Sequence, residues 1–131
     1  MRLLLDTHVA IWAILGDPRL PPQIQDIIDE PANEVVLSVV SLWEIAIKNV
    51  LARAGEGGVP MSAAAARTFF HGAGYFLLNV SADHAVAVEN LPPIHGDPFD
   101  RLLVAQALFE PLKMVTHDAK VAAYSDAFVY F

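Results

Sequence analysis

The chain has 131 residues, enough to bury one core, and we expect a single domain over residues 1–131. Its lack of cysteine excludes disulfides and thiolate metal sites and suits a cytoplasmic location. A net charge of −7 argues against a protein held on nucleic acid by a basic face. No apolar run is long enough to span a membrane, and the mean hydropathy of +0.43 suggests a surface covered by a partner or a second copy.

The N-terminal residues predict a strand followed by two helices. Residues 2–5 are apolar after Arg2 and resemble the start of a signal peptide, but Asp6 and His8 interrupt any longer apolar run. We therefore expect a buried strand of the mature fold. The pattern then predicts helices over residues 7–15 and 21–29, separated by a Gly-Asp-Pro stop signal at 16–18.

The β-branched run at residues 35–39 is typical of a central parallel strand. A helix over 42–53 follows, capped by Ser38 or by Ser41, and the spacing of Ser41 and Glu44 fits a capping box. A glycine-rich loop at 55–60 separates it from an alanine-rich helix over 61–71. These signals continue the alternation of strands and helices.

The C-terminal half predicts strands at 75–80, 112–116 and 128–131, and helices from 81 to about 91, from 98 onward, and over 120–124. Asp97 is a natural cap for the helix that begins at Pro98. In that helix one face carries a carboxylate and four apolar residues that we expect in the core, and its members are Asp100, Leu103, Val104, Ala107 and Leu108. Strands alternating with helices predict an α/β three-layer sandwich with a central, mostly parallel sheet of about five strands.

Four acids fall where such a sheet places its ligands, at the carboxyl ends of the strands: Asp6, Glu44, Asp100 and Asp118. Two carboxylates about 4 Å apart repel by roughly 4 kcal/mol at an effective dielectric constant of 20. We therefore expect a divalent cation, Mg²⁺ or Mn²⁺, among them, and metal-assisted phosphodiester hydrolysis as the reaction. Each acid also has a structural interpretation as a helix cap or, for Glu44, as an ion-pair partner of Lys48 at i+4.

Several polar neighbours are candidates to support the acids or to meet substrate. The residues expected behind or beside the carboxylates are Thr7, His8, Asp97 and Thr116. His8 and His95 are the histidines we expect nearest to a substrate or ligand, and Lys48 and Arg101 are the nearest basic residues. Trp12 and Trp43 lie in apolar helical stretches, which predicts core positions.

The chain resembles the PIN domain, and within it the VapC-type toxins of type II toxin–antitoxin modules. The resemblance rests on residues 3–8 (LLLDTH), 38–48 (SVVSLWEIAIK), 95–107 (HGDPFDRLLVAQA) and 115–118 (VTHD). It implies a Mg²⁺- or Mn²⁺-dependent endoribonuclease with RNA as substrate, in which Asp6, Glu44 and Asp100 match the three main acids and Asp118 a fourth. It also implies a small antitoxin as partner, and a homodimer or a toxin–antitoxin hetero-oligomer.

Two other classes of protein compete with this interpretation. A receiver-like phosphoacceptor module has a similar size and acidity, but it would carry adjacent acids after its first strand, where this chain has Asp6 and Thr7. A non-catalytic interaction domain with a vestigial PIN site would lack one of the acids, and none is missing.

Overall fold

The computed structural model describes residues 1–53 and 60–131, so the glycine-rich loop at 55–60 lies outside the described residues except for Pro60. In these two ranges the strands are β1 (Arg2–Leu5), β2 (Glu34–Ser38), β3 (Phe76–Leu78), β4 (Lys113–Thr116) and β5 (Val129–Tyr130). The helices are α1 (Thr7–Leu15), α2 (Pro22–Asp29), α3 (Val39–Arg53), α4 (Ala63–Gly72), α5 (Ala82–Ala87), α6 (Pro98–Phe109) and α7 (Ala119–Ala122). Each element lies where the sequence predicts it, with ends that differ by a few residues.

The strands form one sheet in the order β3-β2-β1-β4-β5, and every pair that the structure describes is parallel. The central strand β1 pairs Leu4 with Val36 on one side and with Met114 on the other. The chain moves outward from β1 through β2 to β3 and then crosses to β4, so the strand order reverses beside β1. Receiver modules have the order 2-1-3-4-5, and the receiver-like alternative is therefore wrong.

The core has two apolar layers, one on each face of the sheet. Leu3 and Leu5 of β1 pack into a layer with α1, α2 and α4, whereas Leu4 packs into a layer with α6 and α7. This alternation follows from the two-residue period of a strand. Because both faces are covered by helices, the sheet is the middle of three layers, as the sequence predicts. Among residues 1–53 and 60–131, no helix has the length and apolar character to cross a bilayer.

Three local predictions are wrong. Helix α3 begins at Val39, capped by Ser38, whose Oγ accepts the Val40 amide at 3.0 Å, so Ser41 and Glu44 lie inside the helix and form no capping box. Trp43 is 57% exposed and is not a core residue. Leu108 is exposed at the end of the apolar stripe of α6, although the other apolar members of that stripe are buried.

Candidate active site

Asp6 lies at the junction between β1 and α1, where it is the N-cap of the helix. Its Oδ1 accepts the Thr7 amide at 2.8 Å, and its Oδ2 accepts the hydroxyl of Thr116, at the end of β4, at 2.7 Å. Each carboxylate oxygen is therefore fixed by one donor. Burial raises the pKa of Asp6, against the effect of these two hydrogen bonds.

Glu44 reaches the same region from the second turn of α3, where it is buried. The Thr7 hydroxyl donates to Glu44 Oε1 at 2.8 Å and lies 2.8 Å from the Ser41 hydroxyl. Lys48, one turn further along α3, contacts Glu44 Oε2 at 2.6 Å. Because a buried carboxylate is costly when it is alone, this hydroxyl and this ammonium are what allow Glu44 to be buried.

Asp100 lies in the first turn of α6. Asp97 is the N-cap of this helix, and its Oδ1 accepts the Asp100 amide at 2.9 Å, as the sequence predicts. The capping interaction uses the side chain of Asp97 and the backbone of Asp100, so the carboxylate of Asp100 remains available. Burial, reinforced by the neighbouring carboxylates, raises the pKa of Asp100 to about 7.

Asp118 follows β4 and caps the short helix α7, with Oδ1 accepting the Lys120 and Val121 amides at 2.8 and 3.4 Å. Its Oδ2 lies 3.1 Å from His95 Nε2. Burial acts to raise the pKa of Asp118, but the hydrogen bonds from the amides and from His95 outweigh it and lower the pKa. Of Asp6, Asp100 and Asp118, it is thus the acid that ionises most readily.

His95 joins two of the acids. Its Nε2 lies 3.0 Å from Asp100 Oδ2 as well as 3.1 Å from Asp118 Oδ2, and the three ligand atoms lie within 4.8 Å of one another. The Asp97 amide points at its Nδ1 at 3.3 Å, which favours the tautomer that carries the proton on Nε2. Arg101 fixes this segment by donating to the His95 carbonyl oxygen at 3.3 Å and to the Pro92 carbonyl oxygen at 3.1 Å. Arg101 therefore holds the loop before α6 and does not face the acids.

All four predicted acids line one cavity of about 450 Å³ at the carboxyl edge of the sheet. Asp97 and Lys48 also line it, whereas Thr7 and Thr116 contact the acids from behind. His8 lies on the wall, together with Trp12 and His117. The structure brings the predicted residues together. Sequence reasoning did not foresee that His95 would bridge two acids, or that Trp12 and His117 would face the cavity.

The residues of the cavity fit a hard divalent cation. Their donor atoms are carboxylate oxygens, which are the ligands that Mg²⁺ and Mn²⁺ prefer. Burial is the main cause of the raised pKa values of Asp6 and Asp100, and neighbouring carboxylates add to it, so a cation bound in the cavity would favour the ionised forms. Within the described residues, every buried polar side-chain atom has a hydrogen-bond partner, so these contacts hold the four carboxylates in place around the cavity.

Comparisons with known proteins identify the class that this fold and site define. Residues 3–127 match the PIN domain family. The chain therefore belongs to the PIN domain family. In contrast, a comparison with functionally curated proteins gives no match.

Several solved structures share the fold. VapBC2 from Rickettsia felis, bound to a DNA fragment from its promoter, is 15% identical with a TM-score of 0.69, over 100% of this chain and 98% of that one. DNA-bound VapBC from Salmonella typhimurium is 14% identical with a TM-score of 0.63, over 100% and 97%. A toxin–antitoxin complex from Klebsiella pneumoniae is 18% identical with a TM-score of 0.59, over 97% and 95%.

Proposed function

We propose that this protein is a Mg²⁺- or Mn²⁺-dependent endoribonuclease that acts as the VapC-type toxin of a toxin–antitoxin module. The observation that carries this proposal is the single cavity lined by Asp6, Glu44, Asp100 and Asp118. Its position beside β1, where the strand order reverses, is the usual ligand site of an open parallel sheet. We further propose that the chain is one domain and that it acts in the cytoplasm, in keeping with its lack of cysteine.

In this proposal Asp6 and Asp100 are the main metal ligands, with Glu44 and Asp118 completing the set. A divalent cation bound there withdraws electron density from a phosphodiester and makes a water more acidic. The Thr116 hydroxyl donates to one oxygen of Asp6 and so holds the orientation of this carboxylate. Lys48 neutralises part of the charge of Glu44, which limits the repulsion of an incoming phosphate.

Hydrolysis forms a bond between a water oxygen and phosphorus and breaks one P–O ester bond, and the proton ends on the departing oxygen. Asp118 is 39% exposed at the mouth of the cavity and offers a carboxylate oxygen that can align the attacking water. Glu44 is buried and shares its oxygens with Thr7 and Lys48, so it would serve the metal set and would not align the water.

The test is cleavage of a labelled RNA pool by the purified chain. We expect cleavage with Mg²⁺ or Mn²⁺, none in excess chelator, and a loss of at least about a hundredfold in Asp100→Asn. The matched control is Asp26→Asn, which makes the same chemical change at an exposed position of α2, outside the cavity, and should cleave normally. Undiminished cleavage in Asp100→Asn would overturn the proposed mechanism. No cleavage of any RNA by the metal-loaded wild type would favour a vestigial site in an interaction domain.

We propose a small antitoxin as the protein partner, in a homodimeric or hetero-oligomeric assembly. The proposal is supported by the likeness to toxin–antitoxin complexes and by large apolar side chains that face water, including Trp43 at 57%, Val50 at 58% and Phe76 at 60% exposure. Co-expression with the small reading frame next to its gene should raise the yield and give a stable complex in gel filtration. A toxic wild type that stays monomeric and binds no neighbouring product would contradict this proposal.

A further inference from the structure

A cluster of four aromatic rings lies at the acidic cavity, and three of them line it. His8 and Trp12 lie four residues apart on α1 and therefore share a face, with ring centroids 6.2 Å apart and planes 21° apart. Trp12 makes edge-to-face contacts with His117 at 5.8 Å and with Phe131 at 6.4 Å, and Phe131 stacks on His117 at 4.8 Å. We call the four residues His8, Trp12, His117 and Phe131 the aromatic wall.

The wall is anchored on both sides. The guanidinium of Arg19 lies 4.9 Å from the ring centroid of Trp12, while the same group pairs with Asp17 at 2.7 Å. On the other side, His117 Nδ1 donates a hydrogen bond to the carbonyl oxygen of Phe131. Both ends of the ring system are thus fixed. Binding a ligand there would cost little conformational entropy of the side chains.

Core packing accounts for part of the wall, because Trp12 and Phe131 pack against the core, but it does not account for the two histidines. Trp12 is only half-buried against the core, and His8 and His117 are exposed. The proposed hydrolysis uses none of these four rings. However, His8, Trp12 and His117 line the cavity that the four acids also line, and His117 directly precedes Asp118. A group stacked on the wall would therefore lie next to the reacting phosphate.

Single-stranded RNA has the chemistry that this surface matches. Unpaired bases stack on aromatic rings and on guanidinium planes, and each stacked base contributes about 1–3 kcal/mol. This chain carries a net charge of −7, so its overall field repels the phosphate backbone. Contacts that do not depend on backbone charge therefore add to whatever affinity the metal site gives, and the aromatic wall offers such contacts beside that site.

We propose that the aromatic wall binds unpaired RNA bases beside the scissile phosphate, with Trp12 as its central stacking surface. The inference rests on the proposed ribonuclease function and names the side chains that meet the bases next to the reacting phosphate. A base held in a duplex stacks on its neighbours and cannot present its face to Trp12. The wall therefore selects against duplex RNA by geometry.

The two tryptophans of the chain allow a direct test. Trp43→Phe leaves Trp12 as the single tryptophan, and Trp12→Phe leaves Trp43, which is exposed outside the cavity, and excitation at the red edge of the absorption band avoids the three tyrosines. Both variants are made in the Asp100→Asn background so that RNA stays intact. A single-stranded RNA of about eight nucleotides should quench Trp12 emission by at least about half and leave Trp43 emission nearly unchanged, and the matching duplex should quench neither.

A kinetic arm uses the cleaving enzyme. Trp12→Leu keeps apolar volume against the core but loses the stacking surface, so we expect KM for single-stranded RNA to rise about 5- to 100-fold with kcat within about twofold. Trp12→Phe should restore most of the loss, and Trp43→Leu is the matched control with unchanged KM. Circular dichroism checks that each variant is folded.

The outcomes separate this inference from the proposed function. Quenching of Trp12 by single-stranded RNA supports the aromatic wall even if the wild type cleaves nothing. If the wild type cleaves RNA but RNA does not quench Trp12, or duplex RNA quenches it equally, the proposed role of the aromatic wall is wrong and the proposed ribonuclease function stands. The proposed role of the aromatic wall is also wrong if RNA leaves Trp12 emission unchanged while an arginine-containing antitoxin peptide changes it. That result would assign the surface to a protein partner.

Discussion

Replacing Asp100 with asparagine should stabilise the metal-free protein at alkaline pH while it removes activity. The carboxyl group has an ordinary pKa of 3.8, and burial among other carboxylates raises it to about 7 in the folded chain. Between these values the folded state binds a proton that the unfolded state has released. Stability from this group is therefore complete below the unfolded pKa and is lost as the pH rises through the folded pKa. Asparagine cannot ionise and escapes this loss.

The magnitude follows from the width of that window. While the folded state holds one more proton than the unfolded state, each pH unit lowers the free energy of unfolding by about 1.4 kcal/mol. Between about pH 5.5 and pH 7 the loss is therefore about 2 kcal/mol. Water in the open cavity screens the interaction, which reduces the expected effect to about 1 kcal/mol. For a chain of this size that is about 4 °C in Tm.

The assay is thermal unfolding of wild type and Asp100→Asn in chelator at about pH 5.5 and about pH 8. We expect the difference in Tm between the two proteins to grow in favour of Asp100→Asn by about 4 °C at the higher pH. Saturating Mg²⁺ should remove this advantage by stabilising only the wild type. A difference that stays constant with pH, or that grows in favour of the wild type, would refute the electrostatic argument.

Three further substitutions probe the scaffold. Thr116→Val removes the 2.7 Å hydrogen bond to Asp6 and should lower Mn²⁺ affinity about 10- to 100-fold in calorimetry, and an unchanged affinity would contradict this role. Ser38→Ala leaves the fully buried Gln106 without the hydroxyl that it accepts at 2.5 Å, and urea unfolding should show a loss of about 1–3 kcal/mol. Leu103→Ala opens a cavity in the layer under α6 and should cost about 2–5 kcal/mol in the same assay.

The fold was predictable from sequence because its signals are local and strong. The buried run in β1, the glycine at position 16 with φ of 64°, and the Asp97-Pro98 start of α6 each specify an element without reference to the rest of the chain. The start of α3 was not predictable in the same way, since Ser38 and Ser41 both fit the preference for a cap. Tertiary contacts decided between them: Ser38 donates to the buried Gln106, and Ser41 lies against Thr7.

The candidate site was predictable to the extent that topology brings the acids to one edge. Asp6 and Asp118 are helix caps and also line the cavity. A capping role and a place in the cavity therefore do not exclude each other. The bridge from His95 to Asp118 joins a loop to a strand end, and no spacing in the sequence encodes it. The roles of the four acids remain a prediction, as does the single-domain organisation.

The most direct test of the central claim is anomalous diffraction from crystals soaked in Mn²⁺. The proposed metal centre predicts a peak in the cavity about 2.1 Å from carboxylate oxygens of Asp6 and Asp100, and its loss in Asp100→Asn crystals. An empty cavity at saturating Mn²⁺, or a peak bound elsewhere while RNA is still cleaved, would contradict it.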